Sequence, residues 1–236
     1  MITAMPPISS SAEPSIGKRG KGRPPHNAME TELIRRQIQQ AAAQVFASHG
    51  AHGMSVALIT QACEISRPTF YRYFKNTEAV LELVLREAND RLIDLVVTAI
   101  RQSDDPMQKV EAGLLAWRRW GEEMGPLLRT IFAEIHDPKS LAFSHRQRVL
   151  EAIGLELNQM VVSLGRKPFD PLQVETFVIG VEYLGYRFHF GPEAPSEALW
   201  QRTRQAMLRL AMGLLGGPLE WGHASQLAQV LGVQLD

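Results

Sequence analysis

The nine residues from Arg67 to Lys75 hold many side chains that can donate hydrogen bonds. Two arginines, one lysine, one threonine and two tyrosines occur there. Such side chains can contact both phosphate oxygens and the edges of bases. The residues that we expect to project outward are Arg67, Thr69, Tyr71, Arg72, Tyr73 and Lys75. This composition favours a nucleic-acid-binding surface, and the alternative is an ordinary amphipathic surface helix.

Two short helices joined by a tight turn must position these side chains. Ser55 and Ser66 are good N-cap residues, Glu64-Ile65 forms the turn between the helices, and Pro68 fits the first turn of the second helix. The residues that we expect to pack inward are Val56, Ile59, Ala62, Cys63, Ile65, Phe70 and Phe74. The pattern is that of a helix-turn-helix, whose second helix enters the major groove of DNA.

Helical periodicity continues on both sides of this segment. A first helix starts near Met29 and ends at Gly50 and Gly53, and a fourth begins after Asn76. Further helices are predicted at about Pro106–Met124, Pro126–Ile135, Ser144–Leu164, Pro171–Phe190, Ser196–Leu215 and Pro218–Leu231. Strand-like alternation with turn dipeptides is absent from the sequence, so the predicted class is all-α.

The distribution of charge also separates the front of the chain from the rest. The chain has 25 Lys+Arg and 25 Asp+Glu, so its formal net charge is zero. Residues 1–75 hold nine basic and four acidic residues, which leaves 16 basic and 21 acidic residues in the remainder. A front of +5 and a body of −5 suggest a polyanionic partner for the front. Chance clustering of charge is the alternative.

Residues 1–28 are rich in Ser, Pro and Gly, which is typical of a disordered arm. Four of its cations lie within six positions, at Lys18, Arg19, Lys21 and Arg23. The tripeptide Gly22-Arg23-Pro24 resembles the core of an AT-hook, in which an arginine lies in a narrow minor groove. The arm is therefore expected to contact phosphates or the minor groove, and a solvated charged tail is the alternative.

Several other classes of protein lack support in the sequence. The single cysteine, Cys63, excludes an internal disulfide framework. There is no apolar run of membrane-spanning length, and the N-terminus does not resemble a secretory signal. The common motifs of hydrolases, nucleotide-binding enzymes and metalloproteases are missing, and the seven histidines are scattered. We therefore expect no catalytic residues, no metal and no cofactor.

The segment Ile59–Glu78, and the stretch TFYRYFKNTE in particular, resembles the N-terminal motif of the TetR family of bacterial transcriptional regulators. The resemblance covers about residues 30–82. One departure is Glu64, where the family usually has glycine in the turn. A non-glycine residue in a left-handed conformation costs roughly 1 kcal/mol, which leaves the fold intact.

The resemblance implies roles by position. Arg67 and Thr69 would contact base edges, Tyr71 and Tyr73 would contact phosphates or thymine methyl groups, and Lys75 with Thr77 would hold a phosphate at the start of the fourth helix. The complete predicted DNA-binding set is Lys18, Arg19, Lys21, Arg23, Ser55, Arg67, Thr69, Tyr71, Arg72, Tyr73, Lys75 and Thr77. The implied domains are the arm at 1–28, a three-helix DNA-binding domain at 29–76, and a helical bundle at 77–236 that binds a ligand and dimerises.

The helix predicted at Pro171–Phe190 is apolar on nearly every side, so we expect it to be buried on two sides. The resemblance implies that one side meets a second subunit in a four-helix bundle, and a monomeric core helix is the alternative. The predicted dimer residues are Phe177, Val178, Val181, Gly185, Leu199, Thr203, Met207 and Leu210.

Aromatic residues with polar neighbours recur on the helices of the body. The predicted ligand-binding set is Trp117, Trp120, Phe132, His136, Tyr183, Tyr186 and Phe190. In a TetR-like body such helices surround a cavity, and ligand pockets are mostly apolar. An apolar or aromatic effector fits this composition, whereas simple core packing is the alternative for about half of the set.

The resemblance thus implies a cytoplasmic, homodimeric repressor of bacterial origin. Its partners would be a double-stranded DNA operator, a second copy of the chain and an unknown small-molecule effector, with no membrane. The effector would move the sixth helix at Gly125-Pro126, and that helix would push the fourth. The two helix-turn-helix domains of the dimer would then lose the spacing that fits DNA. The alternative is a ligand-binding helical bundle or interaction module without specific DNA recognition.

Overall fold

The computed structural model describes residues 28–216, and within them every regular element is an α-helix. The bounds of these helices are α1 Ala28–Gly53, α2 Val56–Ala62, α3 Arg67–Tyr73, α4 Thr77–Arg101, α5 Pro106–Met124, α6 Pro126–Glu134, α7 Leu141–Ser163, α8 Pro171–Phe190 and α9 Glu197–Leu215. The predicted all-α class is confirmed. The basic arm and the helix predicted at 218–231 lie outside the described residues.

The helix ends follow local capping chemistry. The side chains of Ser55, Ser66 and Asn76 cap α2, α3 and α4 by accepting hydrogen bonds from backbone amides three positions later, at 3.2, 3.2 and 2.9 Å. Helix α7 begins three residues earlier than predicted, because the side chain of Ser140 caps it by accepting from Ala142 N at 3.1 Å. Capping residues therefore set where these four helices begin.

The first three helices and the start of α4 enclose a small core. Its fully buried members include Ile38 and Ala42 of α1, Ile59 of α2 and Phe70 of α3. The prediction that Ala62 faces inward was wrong, since Ala62 is exposed and Cys63 is buried. Positions 56, 59 and 63 follow the three-to-four spacing of one helix face, and position 62 falls off that face.

Helix α4 belongs to two cores at once. Its first turns, with Val80 and Val84, complete the small core of α1, α2 and α3, and its later turns, with Leu92 and Val96, enter the large core formed with α5, α7, α8 and α9. A third cluster lies between them, where Phe46, Leu81, Leu85, Ala88, Ile131, Ile135 and Ala142 bring α1, α4, α6 and α7 together. The two parts of the chain are therefore joined by continuous packing.

Candidate DNA-binding surface and effector pocket

The turn between α2 and α3 uses an unusual backbone conformation. Glu64 has a φ of 52°, in the left-handed region that favours glycine. The turn is held by Ile65 N, which donates to Thr60 O at 3.1 Å, and by the side-chain amide of Gln37 on α1, which donates to Cys63 O at 2.8 Å. These contacts fix the angle at which α3 leaves the turn.

Helix α3 and the two residues after it expose four of the predicted side chains and partly bury two. Arg67, Tyr71, Arg72 and Lys75 are exposed, and Tyr71 keeps 57% of its surface in solvent. Positions 67 and 71, one turn apart, share a face, with Arg72 beside them. The side chains that remain available for DNA are therefore three cations and one phenol.

Thr69 and Tyr73 are more engaged with the protein than predicted. The hydroxyl of Thr69 lies 2.8 Å from the hydroxyl of Ser66, and its side chain is half-buried. Tyr73 packs against the core of the DNA-binding domain, with the guanidinium of Arg72 5.9 Å from its ring centroid. Both side chains support α3 in addition to any contact that they make with DNA.

Ser55 and Thr77 lie at helix starts. The hydroxyl of Ser55 accepts a hydrogen bond from Leu58 N, so capping already accounts for this residue. Thr77 is the first residue of α4, beside its cap Asn76, and is half-buried. The remaining predicted DNA contacts, Lys18, Arg19, Lys21 and Arg23, lie outside the described residues.

An open pocket of about 370 Å³ lies between α6 and α8. Its lining residues are Arg129, Phe132, Ala133, His136, Ile179, Glu182, Tyr183 and Tyr186. The rings of Phe132 and Tyr186 meet edge to face with centroids 5.6 Å apart, which closes one wall. Four of the seven predicted ligand-binding residues therefore share one pocket.

The other three predicted residues surround this pocket without lining it. Phe190 packs on Tyr186 at 5.4 Å, and the guanidinium of Arg129 lies 4.8 Å from its ring centroid. Trp120 is buried and donates from its indole nitrogen to Ala88 O at 2.8 Å, so it ties α5 to α4. Trp117 lies beside it in the core.

Two small internal voids continue from the pocket into the core. The first, of about 20 Å³, shares Phe132 and Glu182 with the pocket and also touches Trp117 and Trp120. The second, of about 30 Å³, shares Trp117 with the first and is otherwise lined by apolar residues of α4, α5, α7 and α8. Each has room for about one water molecule, so a larger ligand can enter only if side chains move.

A buried ion pair lies beside the pocket, which Glu182 lines and Arg146 does not, and it was missed at the sequence level. Arg146 of α7 donates hydrogen bonds of 2.9 to 3.1 Å to both carboxylate oxygens of Glu182 on α8, and both side chains are more than nine-tenths buried. Burial raises the pKa of the Glu182 carboxyl above its usual value, and the hydrogen bonds and charge of Arg146 oppose that shift. An acidic residue inside the most apolar helix was the available sequence signal.

The predicted dimer residues are largely used within one chain. Phe177, Val178, Val181, Gly185, Thr203 and Met207 are buried in the single chain, while Leu199 and Leu210 are half-buried. Six of the eight are therefore not surface that a second subunit could cover. Gly180 allows close packing of α8 on α9, because a Cβ there would lie 2.2 Å from the Leu210 side chain.

A different row of α8 faces solvent. Leu172, Thr176, Ile179 and Tyr183 are exposed, and Leu172 and Tyr183 keep 70% and 60% of their surface in solvent. Their spacing of four, three and four residues makes one stripe along the helix. Beside it on α9 lie Leu199, Ala206 and Leu210, which are half-buried. This exposed apolar face spans the two helices.

The helices of residues 28–216 include none that is long and apolar enough to cross a lipid bilayer. Within the same part of the chain, no three His, Cys, Asp or Glu side chains are grouped as metal ligands would be.

A helix-turn-helix with exposed cations, continuous with a helical body that contains a pocket, is the architecture of a helix-turn-helix transcriptional regulator. Residues 38–84 match the model of the family described as bacterial regulatory proteins, tetR family. The N-terminal part of the chain is thus similar to the helix-turn-helix domain of TetR-family transcriptional regulators, and solved structures of similar fold are regulators of that family.

Known proteins agree with this assignment. Over 133 residues the chain is 27% identical to the HTH-type transcriptional activator FasR of Mycolicibacterium smegmatis, across 54% of the present chain and 59% of that relative. The chain thus matches less than two thirds of the relative's length. Its curated relatives are regulators and not enzymes.

Solved structures share the fold. The fatty acid degradation regulator FadR from Bacillus halodurans superposes with a TM-score of 0.62 at 21% identity, over 74% of this chain and 94% of that one. The regulator FadR from Bacillus subtilis, in complex with stearoyl-CoA, superposes with a TM-score of 0.62 at 17% identity, over 77% and 98% of the two chains.

Proposed function

We propose that this protein is a cytoplasmic, homodimeric regulator that binds a specific DNA operator through α3 and releases it when an apolar effector occupies the α6/α8 pocket. The observation that carries the proposal is the exposed set of Arg67, Tyr71 and Arg72 on α3 with Lys75 just after it, on a helix whose angle is fixed by capping and by Gln37. Four exposed donors on and directly after one short helix suit contacts to both phosphates and bases.

The DNA-binding part is tested by selecting bound duplexes from a random pool and measuring affinity for the enriched sequence. Arg67→Ala should weaken binding by about 10- to 100-fold and relax the sequence preference, because an arginine at a base edge contributes roughly 1–3 kcal/mol. Lys75→Ala should weaken binding to all sequences and reduce the salt slope by about one. Lys139→Ala, an exposed lysine between α6 and α7, is the matched control.

The basic arm is proposed to add phosphate or minor-groove contacts. Replacing Lys18, Arg19, Lys21 and Arg23 by glutamine in the full chain keeps its length and removes four charges. The slope of affinity against salt concentration should then fall by up to about four counterions. An unchanged slope rejects a role for the arm.

Dimerisation is proposed to occur through the exposed face of α8 and α9. Two-fold symmetry would set two copies of α3 about one helical turn of DNA apart. The double variant Leu172→Glu with Thr176→Glu should sediment as a monomer at micromolar concentration and lose affinity for a two-half-site operator. Leu155→Glu, on an exposed apolar position of α7, is the control and should leave the mass unchanged.

The effector is proposed to carry a long apolar chain. The pocket volume of about 370 Å³ falls in the usual range for small-molecule sites, and the apolar voids behind it extend toward α4 and α5. The complex of Bacillus subtilis FadR with stearoyl-CoA supports an acyl ligand. Stearoyl-CoA is therefore the first probe, and it should raise the melting temperature in proportion to its binding.

Variants of two tyrosines distinguish effector binding in the pocket from DNA binding at α3. Tyr186→Ala, in the pocket wall, should weaken stearoyl-CoA binding and spare DNA binding, whereas Tyr71→Ala, exposed on α3, should do the reverse. If stearoyl-CoA neither binds nor changes DNA affinity, the acyl effector is rejected and a library of apolar and aromatic compounds replaces it.

Release is proposed to begin at the junction of α5 and α6. Gly125 there has a φ of 52° and a ψ of −128°, and Ile131 and Ile135 of α6 pack with Leu85 of α4. An effector beside α6 would therefore displace α4, provided that it favours one arrangement over the other. The FasR relative is named an activator, so a reporter fused to the selected operator must decide the sign of regulation.

The alternative function is a ligand-binding bundle without specific DNA recognition. It predicts that selection from a random DNA pool enriches no sequence. It also predicts that a heparin column retains the protein only through the basic arm. It leaves the exposed cations of α3 without a role, which is why the regulator is preferred.

A further inference from the structure

Helix α1 is interrupted near its end. Gly50 has a φ of 66° and a ψ of 176°, values outside the helical region, so the helix is kinked there. In an uninterrupted helix the amide of Ala51 would donate to the carbonyl of Ala47, four positions earlier. The kink turns that amide away from its helical partner, and a buried backbone group without a partner is destabilising.

Two side chains of α6 supply partners on both sides of the kink. The hydroxyl of Thr130 donates to Ala47 O at 3.0 Å, and the carboxylate of Glu134 accepts from Ala51 N at 2.8 Å. Glu134 also accepts the hydroxyl of Ser140, the cap of α7, at 2.7 Å. The α6 side chains thus take the place of the backbone hydrogen bond that the kink removes from α1.

Helix α6 also lines the α6/α8 pocket, with a different set of residues. Thr130 and Glu134 are four positions apart and share the face toward α1. Arg129, Phe132 and Ala133 lie on a different side and line the α6/α8 pocket. Helix α6 therefore contacts the pocket through one set of residues and the DNA-binding domain through another.

Helix α1 connects the α6 contact to α3, the helix proposed to contact DNA bases. Ile38, Ala42 and Val45 of α1 pack in the same core as Ile59 and Phe70, and Gln37 holds the turn before α3. A shift of the end of α1 would therefore change the position of α3 as well. This route runs through α1, in parallel with the packing of α6 on α4.

We infer that Thr130 and Glu134 are positioning residues that couple the α6/α8 pocket to the DNA-binding surface by completing the hydrogen bonding of α1 at its Gly50 kink. The inference rests on the proposed function, since it concerns how that pocket and that surface influence each other. By thermodynamic linkage, DNA bound at α3 must then alter α6 by the same route.

This reciprocity permits a test that needs no effector. Hydrogen exchange is measured with and without the DNA selected from a random pool. In the wild type, DNA should slow exchange in α2 and α3 directly, and should change exchange in α6 through the coupling. In the double variant Thr130→Val with Glu134→Ala, the protection of α2 and α3 should persist, while the response of α6 should fall on the order of ten-fold.

Conservative and remote variants separate coupling from simple loss of packing. Thr130→Ser with Glu134→Gln keeps a donor for Ala47 and an acceptor for Ala51, so it should restore the response of α6. Ser163→Ala, at the end of α7, removes a hydroxyl that donates to Met160 O of its own helix and should leave the response unchanged.

The outcomes distinguish the two proposals. If DNA still protects α2 and α3 in Thr130→Val with Glu134→Ala, and the exchange of α6 responds to DNA as it does in the wild type, the coupling role is overturned. The proposed function stands in that case. Failure of the Ser/Gln variant to restore the response also overturns it. Enrichment of no DNA sequence overturns the proposed function, and the coupling inference falls with it.

Discussion

The helices of the helix-turn-helix begin at caps formed between near neighbours in sequence, and the α6/α8 pocket depends on contacts between residues that are far apart in sequence. The caps of α2 and α3 each join residues three positions apart. Beside the pocket, Arg146 bonds to Glu182, which is 36 positions away, and one wall joins Phe132 to Tyr186. One region is therefore specified by short segments and the other by how helices pack.

The two regions also differ in how they treat charge. The cations of α3 are exposed, where water solvates them until DNA replaces that water. Arg146 is buried, and its charge is compensated chiefly by the buried carboxylate of Glu182, with the half-buried carboxylate of Glu175 4.0 Å away. Removing one charge should therefore be tolerated by the fold in the first region and be costly in the second.

The largest expected effect is on Arg146. Arg146→Met leaves Glu182 buried without its partner, and breaking such a pair typically costs about 3–5 kcal/mol of the free energy of unfolding. Arg72→Met, on the exposed part of α3, should change that free energy by less than about 0.5 kcal/mol. Urea unfolding of both variants measures the difference, and equal losses would remove the contrast between the two regions.

The stability lost in Arg146→Met should depend on pH. Without Arg146 the pKa of Glu182 should rise further, so the folded state holds its proton more tightly than the unfolded state does. The loss of stability in Arg146→Met should therefore be small near the unfolded pKa of about 4.3 and grow as pH rises through the folded pKa. Arg146→Met with Glu182→Leu should recover most of the loss at pH 7, because neither charge remains.

The same contrast explains what could be predicted from sequence. Ser55, Ser66 and Asn76 were recognisable as caps, and the bounds predicted for α5 and α8 agree with the structure, because both rest on local chemistry. The partners of α8 could not be predicted in this way. An apolar helix reveals that it is buried, but its periodicity does not say which side meets its own core and which meets solvent.

Glu134 and Thr130 illustrate the same limit. A glutamate and a threonine one turn apart on a short helix are ordinary in a sequence, and their partners lie 83 positions away on α1. Only the assembled structure brings Glu134 to the amide of Ala51. Glu64 is the opposite case, because its place in a tight turn, where the motif that the chain resembles usually has glycine, already indicated its positive φ.

The next effect in size concerns a cap. Ser66→Ala removes the acceptor for Thr69 N and the partner of the Thr69 hydroxyl, and should lower the free energy of unfolding by about 1 kcal/mol. It should also weaken DNA binding, because it loosens the start of α3. Ser196→Ala, which uncaps α9, should lower stability by a similar amount and leave DNA affinity intact. Equal effects of both variants on DNA would indicate that stability alone controls binding.

The smallest effect should come from the turn. Glu64→Gly relieves the left-handed strain, which is worth roughly 1 kcal/mol, but glycine also gains freedom in the unfolded chain. The net rise in the free energy of unfolding should therefore be about 0.5 kcal/mol. Glu64→Gln keeps the side-chain length and the strain and removes the charge, so it should not stabilise the protein.

These two variants also distinguish the effect of the Glu64 charge on DNA affinity from the effect of the turn's backbone angle. Both remove a negative charge from the turn that precedes α3, so both should raise DNA affinity slightly at low salt and not at high salt. If Glu64→Gly raised affinity more than Glu64→Gln at every salt concentration, the turn angle itself would limit recognition. The positive φ of Glu64 would then be a means of tuning α3, and the DNA-binding surface would depend on more than its exposed cations.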